Sequence, residues 1–440
     1  MNPETYAHIL SGMVRIPTIS NEDHNKMDFT RFDEFHRYLE EHFPLIHRTM
    51  TKTVIDRANL LFHWKGANPT KLPLLYMGHQ DVVPPGDPAG WTDDPFSGAI
   101  HDGCVWGRGS NDCKSVICAE MCAVEELIGE GFVPDQDLYL AFCQNEEVMC
   151  PDKGAPTVVR YLADQGVRLG AVFDEGGRLD PTEDGRLLAR VNLGEKATQN
   201  YRLFVESAGG HSQAPGKGTA LGSLARGIAA LEAHPFEPRL TPLAVEQLKA
   251  QAPFVAEERR AAYADPENHL DELIKYAEDE PYLDALIRTT MAVTMAGGSA
   301  QANILPDLAW AVMNARLLPG DTHETILAHL REILPEDVQA EYRAGEDPTP
   351  ASVINGPAYR LLIDVLDGLY PGLVTMMPGL MTGGTDSKYY QEICDEVFRF
   401  TGMIEDDRSG GVHGFNEHFL IETLATGVTF YKTFARAYQK

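Results

Sequence analysis

His79 and Asp81 stand two positions apart in Gly78-His79-Gln80-Asp81-Val82-Val83, just past a short apolar run. In extended chain their side chains share a face, so Asp81 could orient His79 if the imidazole binds a metal. Asp112, in Gly107-Arg108-Gly109-Ser110-Asn111-Asp112, presents one carboxylate from a glycine-rich turn ahead of a helix, where it could bridge two cations. Asn145-Glu146-Glu147 follows a second apolar run, and its two carboxylates point different ways, so one can bind metal while the other works as a base. Asp174-Glu175-Gly176-Gly177 repeats the arrangement after a third run, and His413 supplies a second imidazole late in the chain. Each of these residues alone could be a helix cap, a turn residue or a solvated acid. Three successive strands ending in potential ligands are hard to explain that way.

Other chemistries fail on spacing. Gly210 to Thr219 (GHSQAPGKGT) lacks the glycine spacing of a phosphate loop and the residue required after its lysine. The G-x-G of Gly107 and Gly109 has no third glycine for a dinucleotide, and no G-x-S-x-G lies beside a strand-to-helix turn. Hydrolysis, if this chain performs it, should be metal-assisted.

The elements that would carry these residues alternate. Leu72 to Met77, Asp137 to Cys143 and Gly170 to Phe173 read as buried strands, with helices expected over Ser115 to Ile128 and Ala155 to Gln165. This order predicts an α/β fold, a mainly parallel sheet with flanking helices. From about Lys196 the texture changes: Gln199 to Glu206 alternates as a half-exposed strand, with a helix expected at Leu221 to Ala233. Strand, helix and strand follow at Ala309 to Arg316, Glu324 to Leu334 and Val338 to Tyr342, typical of a small α+β domain, and Pro235 to Thr290 looks like an insertion in it. Tyr359 to Leu369, Val397 to Thr401 and Ile421 to Tyr438 return to the first domain. The expected organisation is a discontinuous catalytic domain, 1–195 with 349–440, and an inserted α+β lid or dimerisation domain, 196–348.

At 440 residues two domains are the default. Lys and Arg total 37 against 65 Asp and Glu, and the net charge of -28 has the wrong sign for binding nucleic acid. No basic segment precedes an apolar run at the start, and no apolar stretch would span a bilayer, so a cytoplasmic protein without a membrane partner is expected. Seven cysteines with no C-x-x-C pair argue against disulfides and a cysteine zinc finger; Cys118 and Cys122 share a helix face as packing residues.

In order, GHQDVV, GRGSNDCK, NEE, DEGG, GGHS, ANILPD, NARLLPGD, GGTDS and VHGFNEH resemble the motif series of the metallopeptidase superfamily of glutamate carboxypeptidase, aminoacylase and carboxypeptidase S. The phrases WTDDPFSGAIHDGCVWGRGS, RTTMAVTMAGGSAQANILP and FRFTG look most like the carboxypeptidase S group. The resemblance implies two divalent ions, zinc first with cobalt or manganese as alternatives. His79, Asp112 and either Asp174 or Glu175 would hold one ion; Asp112, Glu147 and His413 would hold the other. It further implies Glu146 as general base, His211 polarising the scissile carbonyl, Arg316 clamping a substrate carboxylate, and Asn303 serving the carbonyl site of a neighbouring subunit in a homodimer. Substrates would be small peptides or N-acyl amino acids, cleaved beside a free carboxylate. A dipeptidase, or a catalytically silent amino-acid or peptide binder, is the competing reading. Cys113 stands where many relatives carry a second aspartate, and Asn145 replaces an aspartate before the glutamate pair.

Overall fold

The structure is a computed structural model that describes residues 1–68, 70–148 and 152–438. Its chain divides into two compact units: Met1–Leu193 with Ser352–Pro378 and Thr385–Lys440, and Gly194–Ala351 with Gly379–Gly384.

At the centre of the first unit, Leu74–His79 lies parallel to both Leu138–Cys143 and Ala171–Asp174, and Val397–Arg399 extends the parallel set beyond Ala171–Asp174. Every residue of the first three strands is buried, as continuous apolar runs require when both sheet faces are covered. The hairpin Thr51–Ile55 and Asn59–Trp64 adds an antiparallel edge, and Leu187–Glu195 and Val374–Met381 close the other side.

Alternation along Leu74–His79 divides the packing. Leu75 and Met77 join Val158, Val159 and Leu162 of the helix Ala155–Asp164 in one buried cluster. Gly78 faces the other way, where an added Cβ would meet Cys113 Sγ and Ile117 at 3.4 Å, so the helix Lys114–Gly129 lies close on that face. That helix packs with Pro3–Val14 and Ile421–Ala437. Burial of each large side chain here contributes roughly 1.5–3 kcal/mol, and Ile117, Leu127, Phe173 and Phe434 are all buried completely.

The second unit carries an antiparallel sheet in the order Thr290–Gly297, Leu308–Leu317, Ala197–Glu206 and Gln339–Gly345. Its apolar face, with Tyr201, Leu203, Ala311 and Met313, packs against the helices Ala220–Ala233 and His323–Ile333. The segment read as an insertion forms the helices Pro242–Gln251, Arg260–Ala264, Leu270–Ala277 and Pro281–Ile287.

Strands and helices thus occupy the segments the apolar patterning marks. The N-terminal helices Pro3–Val14 and Phe29–His42, the edge hairpin, and the strands Leu187–Glu195 and Val374–Met381 lie outside those segments. The six described cysteines are free and buried; Cys150 lies outside the described residues. Among the described residues no helix is long and apolar enough to cross a membrane.

Candidate metal centre and active site

Parallel strands that end together bring their C-terminal residues together. His79 closes one strand and Glu175 follows its neighbour, placing His79 Nε2 3.2 Å from Glu175 Oε1. Asp112, from the glycine-rich turn, completes the group with Oδ1 2.9 Å from the same nitrogen. Its other oxygen, Oδ2, lies 3.2 Å from His413 Nε2, which is 2.9 Å from Glu147 Oε2. Two imidazole nitrogens therefore meet opposite oxygens of one carboxylate, each with a second carboxylate beside it.

Of the two candidates at the third strand end, only Glu175 enters this cluster. Asp174, the last strand residue, faces the other way, and its Oδ2 accepts from the Ser387 N–H at 3.1 Å. This is the pleat at work: adjacent residues take opposite sides. Cys113 joins the His79, Asp112 and Glu175 group, with ligand-type atoms all within 4.8 Å of one another. Its sulfur also accepts the His79 N–H at 3.1 Å.

The loops are held by carboxylates of their own. Asp81 was expected to orient His79, and its carboxylate lies 3.6 Å from Nδ1, but the shorter contact, 2.9 Å, goes to the Asp81 carbonyl. The carboxylate also accepts the N–H groups of Glu146 and Glu147, each at 3.2 Å, fixing the glutamate pair. Asn145, just before the pair, takes a left-handed φ of 69°, which an asparagine tolerates, and its Oδ1 meets His24 Nε2 at 2.9 Å. This gives the asparagine found in place of an aspartate a definite structural place.

Glu417 stands in the VHGFNEH segment four residues after His413. It is completely buried, and its Oε1 accepts from the N–H groups of Gly109, Asn111 and Asp112 at 3.1, 2.9 and 3.0 Å. Its Oε2 pairs with Arg108, whose Nη2 donates to the Gly414 carbonyl at 2.9 Å. The turn bearing Asp112 and the loop bearing His413 are stitched together by this pair. The signal was present in sequence as a glycine-rich turn with several unpaired N–H groups, but nothing local showed which acid would reach them. Lys114, also buried, anchors the same turn through the carbonyls of Met13 and Ile16, at 3.1 and 2.7 Å.

The charges are unbalanced. Among the described residues, Asp112, Glu147 and Glu175 form ion pairs with His79 and His413 alone. Burial, with Asp112 adding to it, pushes Glu175 up to about 8, and burial above all holds the Glu146 carboxyl well above its usual range. Burial also opposes charge on Asp112, but hydrogen bonds from His413 and His79 outweigh it and hold its carboxyl low. Hydrogen bonds to Asp112 and Glu147 raise His413 to about 10. Buried carboxylates need cations, and oxygen and imidazole donors at these separations suit a pair of divalent ions such as zinc.

The other expected site residues lie in the second unit. His211 is exposed on the short strand Gly210–His211, paired with Ile304–Leu305, and the Ser212 N–H donates to the Asn303 carbonyl at 3.1 Å. His211 and Asn303 are thereby neighbours. Arg316, on Leu308–Leu317, is half-buried, and its Nε donates to Asn314 Oδ1 at 3.2 Å; burial lowers its pKa.

Comparison with known proteins gives one family match and several relatives. The peptidase family M20/M25/M40 matches residues 75–437. A protein of Dictyostelium discoideum named probable carboxypeptidase S-like 2 is 31% identical, covering 91% of this chain and 78% of its own. The N-fatty-acyl-amino acid synthase/hydrolase PM20D1 of Bos taurus is 31% identical, covering 96% of this chain and 85% of its own. Among solved structures, the M20 family metallo-carboxypeptidase Sso-CP2 from Sulfolobus solfataricus shares the fold at 20% identity, with a TM-score of 0.69 over 99% of both chains.

Proposed function

The chain belongs to peptidase family M20/M25/M40 and is a metal-dependent hydrolase, and from that premise we propose that it cleaves an amide or peptide bond beside a free carboxylate. It acts as a carboxypeptidase or an N-acyl amino acid deacylase, with two divalent ions, zinc first. The observation that carries this reading is the sharing of Asp112 between His79 and His413. His79, Asp112 and Glu175 would hold one ion, and Asp112, Glu147 and His413 the other.

When bound, such a pair acidifies a water and stabilises negative charge on a carbonyl oxygen. Glu146 takes the water's proton and returns it to the leaving amine; the burial that favours its protonated form suits it to hold that proton in between. His211 donates to the carbonyl oxygen, and Arg316 grips the free carboxylate, a task suited to its planar fork. A cytoplasmic homodimer built through the second unit, with Asn303 serving the neighbouring subunit, belongs to the same reading. The exposed Met295 and Ile304 of that unit support such an interface.

A release assay tests it, over dipeptides and N-acyl amino acids with free and amidated carboxylates, in the presence of zinc, cobalt or manganese. Release from the free forms and little from the amidated ones is expected. Equal rates on both would remove the carboxylate requirement and with it the task given to Arg316.

A further inference from the structure

We infer that a cavity opening off the metal cluster within the first unit receives the residue on the carbonyl side of the scissile bond, and favours a side chain bearing an amide or carboxylate over a long alkyl chain. The inference deepens the hydrolase reading above and rests on it.

The cavity holds about 440 Å³, and Asp112 and Glu175 are both part of its wall. A carbonyl seated at the cluster would therefore have one substituent at the cavity mouth. Val116, Met403 and Phe419 offer an apolar lining for a short methylene stem. Arg178, Arg190 and Glu405 add charge to the same wall, which a fatty chain would have to strip of water without replacing any hydrogen bond.

The two arginines are held in place. The Arg190 N–H donates to the Arg178 carbonyl at 2.9 Å, so the residues are backbone neighbours. Gly177 makes this possible, since a Cβ there would stand 2.2 Å from the Arg190 carbonyl oxygen and 2.3 Å from that of Arg399. Asp180 ties both guanidinium groups, Arg178 through Nε at 2.8 Å and Arg190 through Nη2 at 2.5 Å. The acid Glu405 has Oε1 engaged by Arg178 at 2.7 Å. Among the described residues Arg190 Nε has no partner and is itself buried, while the Arg190 side chain as a whole stays 41% exposed. A substrate amide or carboxylate in the cavity would accept from this partly exposed cation.

The test compares kcat/KM for Gln-Leu, Glu-Leu, Leu-Leu and N-dodecanoyl-leucine, which differ only on the carbonyl side. The zinc-loaded protein should prefer Gln-Leu and Glu-Leu over Leu-Leu by about tenfold or more, with the dodecanoyl compound poorest. Arg190→Met should bring the Gln-to-Leu ratio near unity, and Arg190→Lys should restore part of it. Preference for the dodecanoyl compound, or a ratio that survives Arg190→Met, overturns the inference and leaves the hydrolase reading standing. No release from any of the four with zinc, cobalt or manganese overturns both.

Discussion

His79 ends one strand and Glu175 directly follows its parallel neighbour, whereas Glu147 and His413 stand on loops. The first histidine side chain is 2% exposed and the second 54%. Backbone conformation follows the same division: Leu74–His79 and Ala171–Asp174 are paired in register, while His413 itself takes a left-handed φ of 58°. A sheet fixes its strand ends without further help. Loop-borne ligands need polar groups assigned to holding them, and here these are Asp81 under the glutamate pair and Glu417 with Arg108 under the Asp112 turn. Such buried pairs add little to stability, but removing one partner leaves the other stranded.

The sharpest way to break this contrast is Glu146→Gln. Glu147 is held through backbone N–H groups donated to Asp81, so changing the neighbouring side chain should leave it in place. Turnover should fall by roughly 10²–10⁴-fold, with two ions retained by metal analysis. Loss of an ion together with activity would mean that the loop half is not independently fixed. Near-normal rates would remove Glu146 as the base.

Glu417→Gln probes the brace itself. The amide keeps its size but loses the charge that accepts three N–H groups and pairs with Arg108. Affinity for the ion between Asp112, Glu147 and His413 should drop by about 10–100-fold, the usual effect of losing an outer partner of a metal ligand. Competition with a chelator should then show the ion at His413 weakened more than the ion at His79, because Asp112 serves both while the Arg108 contact to Gly414 braces only the His413 loop. Equal weakening of both would make Glu417 a brace for the whole cluster.

The same contrast explains what the sequence discloses. Strand-borne ligands are legible because an apolar run followed at once by His79 or by Asp174-Glu175 already states that a side chain stands at a sheet end. The pleat lets only one member of the acidic pair face the cluster, and only the observed direction of the strand shows that it is Glu175. Loop-borne ligands such as His413 carry no periodic signal, and here the resemblance of motifs supplied what local pattern could not. Glu417 stayed hidden because its partners lie some three hundred residues earlier in the chain. Arg178 and Arg190 stayed hidden because each looks like an ordinary surface cation until Asp180 and the cavity are seen together.

Protons distinguish the halves most finely. Without metal, hydrogen bonds to Asp112 and Glu147 keep His413 protonated up to about 10, so an ion taking its Nε2 must displace that proton. Affinity for this ion should therefore rise with pH, by about tenfold per unit for each proton displaced, and fall as pH drops below that value. On the strand half burial opposes charge on His79, but Cys113, Glu175 and Asp112 outweigh it and hold its imidazole above the usual range, so an ion there displaces a proton too; Glu175, raised by burial to about 8, adds a second only below that pH. Between these two values, its contribution is gone while that of His413 persists. Calorimetric zinc titrations in buffers of different ionisation enthalpy would count the protons released by each ion. About one proton should accompany the loop-side ion in that window, and His413→Gln should abolish its release along with most of the affinity. A loop-side affinity that stays flat with pH there would mean that His413 is already neutral.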